Sequence, residues 1–286
     1  MIKDWIEKYN PQNEEEALSA LREIMQEITL AGLSRGNFFK IAAFYGGTAL
    51  RIFHGLDRFS EDLDFSLLQE DPDFSLEPYF QTIREEFESL GMKVRLRKKT
   101  KRHQSPIESA FLKSDNLWEE LILEDIVTQI GIKSNRNIKI KIKIDRNPPP
   151  EFQTEEKLLL QPFSFYVKCF DLPSLFAGKM HALLFRNWKN RVKARDWYDM
   201  EWYIRKSIPL SLPHFLQRAI ETGDWQKDNI TTEEFFDLLT EKIHTTSIEN
   251  IKTDVRPFIR DQNQLEIWSP SYFLDLIRLL KIEEKA

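Results

Sequence analysis

The sequence predicts an α+β fold, with strands and helices interleaved over the first 150 of its 286 residues and helices dominating after them. Three observations carry this. "IKIKIKID" alternates apolar and charged residues from Ile138 to Asp145, the period of a strand with one buried face. Two short apolar runs, "KIAAFY" and "EDLDFSLL", flank a glycine pair and a short helix-like segment. From "DLPSLFAGKMHALLF" onward the apolar residues recur at helical spacing.

In chain order, the stretch 13–33 places Ala17, Leu18, Leu21, Ile24, Met25 and Ile28 on one helical face, with Asn13 as N-cap and Gly32 near the C-terminal end. "KIAAFYGG" reads as a buried strand ended by glycines, and "TALRIFHG" as a helix opened by Thr48 and closed by Gly55. "EDLDFSLL" is a second strand, in which Asp62 and Asp64 share one face while Leu63 and Phe65 take the other. "LEPYFQTIREEFESLGM" is an amphipathic helix ending near Gly91, and the basic "KVRLRKKTKR" after it alternates Lys93, Arg95 and Arg97 against Val94 and Leu96. The proline-rich "RNPPPEFQTEEK" divides the chain into a core with an N-terminal helix, residues 1–150, and a mainly helical region, residues 151–286. Asp171 or Ser174 with Pro173 starts a helix. Beyond residue 207, Pro209, Gly223, Pro257 and Pro270 punctuate three or four more helices.

Composition narrows the function. A content of 41% hydrophobic and 30% charged residues describes a folded, water-soluble protein, and no apolar run approaches the roughly 18 residues of a membrane span. The N-terminus lacks the apolar core of a secretory signal, and the single cysteine, Cys169, fits a reducing cytoplasm, where we expect the protein to reside. Five histidines without ligand spacing argue against structural zinc. The net charge of −5 conceals a basic region: 14 Lys/Arg stand against 7 Asp/Glu between Lys93 and Arg146.

The chemistry concentrates between Gly46 and Asp64. A lone D-x-D is usually a solvated strand face and a lone G-G a turn, but their combination in so short a span, with a helix and R-x-S between, is rare. Asp62 and Asp64, with Asp145 from the lysine-rich strand, would supply oxygen ligands for hard divalent cations such as Mg²⁺. Gly46 and Gly47 would let backbone N–H groups approach a triphosphate at the start of the Thr48 helix, and Arg51, Arg58 and Ser60 are near enough to add phosphate contacts. Lysines alternating on a strand are most often solvent-facing edge charges. Yet Lys139, Lys141 and Lys143 share the face of Asp145, and with Lys93, Arg95 and Arg97, and with Lys189 and Lys193 further on, they form candidate RNA contacts.

"GGTALRIFHGLDRFSEDLDF" resembles the first motif of the DNA polymerase β-like nucleotidyltransferase superfamily, in the form found in the AbiEii/AbiGii toxin family and its MenT-like members. "KIKIDRNPP" resembles that family's strand before its proline turn, and "FAGKMHALLFRNWKNRVKARDWYDMEWY" its later blocks, a helical lysine and R-D-x-x-D. The resemblance covers roughly residues 40–205. It implies a mixed sheet, with the active site in a cleft between the core and the helical region. It also implies that Gly46, Gly47 and Thr48 line the phosphates, that Asp62 and Asp64 bind Mg²⁺, with Mn²⁺ as a substitute, and that Lys179 contacts the nucleotide. Asp196 and Asp199 would be catalytic or site-organising; read as residues alone, they could equally be salt-bridge partners of Arg191 or Arg195.

The implied activity is Mg²⁺-dependent transfer of a nucleotidyl group from an NTP to an acceptor hydroxyl, with tRNA the favoured acceptor. The implied setting is the toxin of a toxin–antitoxin or phage-defence pair, with a cognate antitoxin as partner. Two rivals stand beside it: the same fold acting on a protein or small molecule, and a catalytically silent NTP- or RNA-binding regulator.

Overall fold

The computed structural model describes residues 2–98, 116–124, 138–148, 150–186 and 194–284. They form two compact units. The first comprises Met1–Ala49, Ser60–Pro148 and Glu156–Cys169, the second Leu50–Phe59, Pro149–Glu155 and Phe170–Ala286.

The first unit is built on a seven-stranded mixed sheet. In chain order its strands are β1 (Ala42–Tyr45), β2 (Asp62–Leu67), β3 (Lys93–Lys98), β4 (Asn116–Glu124), β5 (Ile138–Asp145), β6 (Thr154–Leu159) and β7 (Phe165–Phe170). They lie in the order β3-β4-β5-β2-β1-β7-β6. β2 sits near the middle, antiparallel to β1 and parallel to β5, so the two aspartates fall where the sheet is best supported. The sheet does not stop at the proline-rich connection: β7 returns beside β1, with Phe44 opposite Cys169. The apolar run "FYVKCF" is what permits this, since Phe165, Val167 and Cys169 are all buried.

Two helices, α2 (Glu14–Arg35) and α4 (Phe80–Ser89), pack against each other. The Asn13 side chain caps α2 by accepting from the Glu16 amide at 2.9 Å. Gly32 lies near the C-terminal end of this helix, as expected, and α2 continues to Arg35. A Cβ at Gly32 would lie 2.5 Å from the Ile83 backbone, so the glycine is there for close helix packing. Beneath lies an aromatic cluster in which Phe65, from the buried face of β2, meets Phe38 and Phe44 at centroid distances of 5.1 Å.

The second unit is helical, as expected. Its main elements are α5 (Leu172–Phe185), α6 (Arg195–Arg205), α7 (Leu212–Thr222), α8 (Thr232–Thr245), α9 (Ile248–Val255) and α10 (Pro270–Ile277). Strands β8 (Leu210–Ser211) and β9 (Ile282–Glu283) add one short parallel pair. Asp171 is the N-cap of α5, accepting from the Ser174 amide, with Pro173 in the first turn. Phe176 of α5 stacks on Tyr203 of α6 at 4.3 Å, which fixes the rotation of the two helices that carry Lys179, Asp196 and Asp199.

Candidate active site

Strand β1 runs straight into α3 (Gly46–His54), with the glycines forming its first residues rather than a separate turn before it. Gly46 has φ +84°, a conformation that disfavours any side chain. Its register explains why the position must also be empty. Tyr45 pairs with Asp64, so Gly46 passes directly beside that aspartate, and a Cβ there would meet Asp64 Oδ2 at 2.8 Å. Gly46 and Asp64 are therefore close neighbours. Thr48 is fully buried, and its hydroxyl donates to the Asp62 carbonyl, tying α3 to the start of β2.

Asp62 and Asp64 share one face of β2, each about a quarter exposed. In the adjoining parallel strand Asp62 is in register with Lys141, Asp64 with Lys143 and Ser66 with Asp145. The third carboxylate is thus displaced along the strand from the pair. Asp145 is buried, and its Oδ1 accepts from the Asn147 amide at 3.2 Å. In its place stands Lys143, whose Nζ lies 2.5 Å from Asp62 Oδ2 and 3.4 Å from Asp64 Oδ1. Burial works against the ammonium, but the carboxylates of Asp64 and Asp62 outweigh it and raise the Lys143 pKa above the ordinary lysine value.

A second cluster forms within the helical unit. Lys179 on α5 reaches Asp196 Oδ1 at 3.2 Å and Asp199 Oδ2 at 2.7 Å, two residues one helical turn apart on α6. Asp199 is completely buried, and Arg58, only 1% exposed, grips it through Nε and Nη2 at 2.5 Å each. Burial favours the neutral acid at Asp199, but Arg58 and Lys179 override it and hold its pKa below the usual carboxylate range. The ion-pair partners seen for these aspartates among the described residues are Lys179 and Arg58, and Arg191 lies outside the described residues. Tyr198, between Asp196 and Asp199 in sequence, donates to Asp57 Oδ1 at 2.6 Å.

Of the remaining expected phosphate contacts, both arginines are engaged within the protein. Arg58 Nη1 donates to the Phe59 carbonyl, so the whole guanidinium is enclosed by protein. Arg51 donates to the carbonyls of Leu56 and Asp57 and lies over the Phe59 ring at 4.7 Å, holding the loop after α3. The Ser60 carbonyl accepts from Gln26 Nε2. Among the basic residues, Lys93, Arg95, Lys139 and Lys141 are exposed, whereas Lys143 is drawn to the aspartates. Arg97 lies on β3 opposite Glu120. Lys189 and Lys193 lie outside the described residues.

The donor set bears on metal binding. Two carboxylates on one face, a quarter exposed, suit a single hard cation that completes its shell with phosphate oxygens and water. Among the described residues no group of three or more His, Cys, Asp or Glu is placed to hold a metal ion, so the three-carboxylate site expected from the sequence is not formed.

The family model for the AbiEii toxin, a nucleotidyl transferase of type IV toxin–antitoxin systems, matches residues 28–274. The chain belongs to the AbiEii nucleotidyltransferase family. It is a toxin-family nucleotidyltransferase, and the glycine–aspartate contact and the Lys179 cluster both lie inside the matched span. Among solved structures it is similar to MenT4, a nucleotidyltransferase toxin from Mycobacterium tuberculosis H37Rv, with 14% identity, TM-score 0.58, and coverage of 96% of this chain and 87% of that one. It is also similar to JHP933 from Helicobacter pylori, with 15% identity, TM-score 0.52, and coverage of 90% and 88%. At such identities the likeness is one of fold. No curated protein sequence matches the chain. Among the described residues no helix of this AbiEii chain is long and apolar enough to cross a membrane.

Sequence reasoning missed two contacts in this AbiEii chain. The Lys143 contact could not be read from a strand that shows a uniform row of lysines, although Lys143 stands where the resemblance leads one to expect an acidic residue and shares the parity of Asp145. The Arg58–Asp199 pair joins residues from opposite halves of the chain, and nothing local signals it.

Proposed function

We propose that this AbiEii nucleotidyltransferase moves a nucleotidyl group from an NTP to a hydroxyl of tRNA, with Mg²⁺ as the metal, as the toxin partner of a cognate antitoxin. The acceptor oxygen forms a new ester bond to the α-phosphorus, the α–β anhydride bond breaks, and pyrophosphate and a proton are released. The observation that supports this reading is the close approach of Gly46 to Asp64, which brings the start of α3 against the carboxylate pair.

The residues divide the work. Gly46 and Gly47 offer backbone N–H groups at the start of α3 to the triphosphate. Asp62 and Asp64 would hold Mg²⁺, which when bound would stabilise negative charge developing on the reacting phosphate. Lys179 supplies a further positive charge to the triphosphate. Asp196 and Asp199 position Lys179, and Arg58 fixes Asp199. Exposed Lys139 and Lys141 continue along the face that carries Lys143, and with Lys93 and Arg95 they offer an RNA backbone a row of charges.

The test is incubation with each NTP in turn, labelled at the α- or the γ-phosphate, with Mg²⁺ and total tRNA, total protein or small-molecule hydroxyl acceptors. Label from the α-position alone should enter tRNA. Label entering protein or small molecules instead would move the acceptor, and γ-label would make the reaction phosphotransfer. No transfer from any NTP to any of these, in a protein that still inhibits growth, would sink the enzymatic reading.

A further inference from the structure

Lys143 has a place in the site that neither the lysine row nor the acidic pair explains alone. Its strand neighbours Lys139 and Lys141 are exposed, while the Lys143 side chain is 21% exposed and turned onto Asp62 and Asp64. The register puts it beside Asp64, the strand position from which a third carboxylate would complete the pair. A bare pair of aspartates carries two negative charges and attracts any divalent ion. With an ammonium at 2.5 Å and 3.4 Å from its oxygens, the pair presents one net negative charge, and an entering ion is also repelled by the lysine.

We propose that Lys143 is a built-in counter-cation of the Asp62–Asp64 pair, which holds the carboxylates together before substrate arrives and weakens their hold on a free divalent ion. The ion then enters with the triphosphate, whose negative charge offsets the lysine. This rests on the reading of Asp62 and Asp64 as the metal-binding pair of the transferase. It makes Lys143 a positioning residue that couples metal entry to nucleotide binding.

The experiment is Mn²⁺ binding to the full chain without nucleotide, followed by the electron paramagnetic resonance signal of free Mn²⁺. Lys143→Met and Lys143→Gln should bind Mn²⁺ at least tenfold more tightly than the unmodified protein, and Lys143→Glu more tightly still. Lys143→Arg, which keeps the charge, should bind as weakly as the unmodified protein. Adding Asp62→Asn and Asp64→Asn to Lys143→Gln should remove the gain. Circular dichroism verifies folding, and the glutamine variant serves if the methionine variant unfolds. Equal affinity in the unmodified protein and both neutral variants overturns the proposal, as does tight binding by Lys143→Arg. The underlying reading fails by a different result: nucleotidyl transfer that survives Asp62→Asn with Asp64→Asn.

Discussion

Arg58 and Asp199 close a bidentate pair in which both N···O contacts measure 2.5 Å and neither side chain is more than 1% exposed. A buried pair of this kind contributes little net stability, because desolvation opposes the attraction, but removing one partner strands the other. Asp199→Ala should therefore cost about 3–5 kcal/mol in chemical denaturation. A stability change under about 1 kcal/mol would mean that water reaches Arg58.

Lys179 stands differently. It is 16% exposed, and removing it leaves Asp199 still held by Arg58. Lys179→Met should lower stability less than Asp199→Ala while reducing transfer by about 100-fold or more, with a higher KM for the NTP. Steady-state kinetics beside denaturant titration separates the two effects; unchanged kinetics would remove Lys179 from the triphosphate.

Gly46→Ala combines two penalties, a side chain at φ +84° and a Cβ 2.8 Å from Asp64 Oδ2. The strain alone should cost about 1 kcal/mol, and the displaced Asp64 should take most of the activity with it. Gly55, also at positive φ but with nothing within 4 Å, makes the control: Gly55→Ala should show strain without the loss of transfer.

His214 gives a pH signature. Burial and the nearby Arg218 push its pKa down to about 3, and it stays neutral with Nδ1 at 3.0 Å from the Pro150 carbonyl. The unfolded chain takes up a proton near the ordinary histidine value of about 6.5 while the folded chain does not. The stability this confers is complete above that value and falls with pH toward 3, by about tenfold in the folding constant per unit. His214→Asn, whose amide can still donate to Pro150, should flatten the slope between pH 6 and 4; an unchanged slope would assign it elsewhere, for instance to His181, whose pKa burial also lowers.

How much of this could be read from the sequence follows from which interactions are local. Strand parity is a local property, and it put Asp62 and Asp64 on one face and the isoleucines of β5 in the core. Capping is local too, and Asn13 and Asp171 were legible as caps. Gly32 was legible as lying near a helix end, but its use in close packing was not, because that depends on the approach of Ile83 from a distant helix. Register between strands distant in sequence is not local, so the displacement of Asp145 and the contact of Lys143 with the pair stayed hidden, although Lys143 was legible as a departure from the acidic residue expected there. The return of β7 to the sheet past the proline-rich connection, and the capture of Arg58 by Asp199, were invisible for the same reason.

The central claim is that the Asp62–Asp64 face beside Gly46 is where a nucleotidyl group leaves an NTP. The direct measurement is transfer of α-labelled nucleotide to tRNA by Asp62→Asn with Asp64→Asn, alongside its thermal melting. Transfer should fall by about 1,000-fold or more, with a melting temperature close to that of the unmodified protein, since both side chains are partly exposed. Undiminished transfer by a folded double variant would contradict the claim.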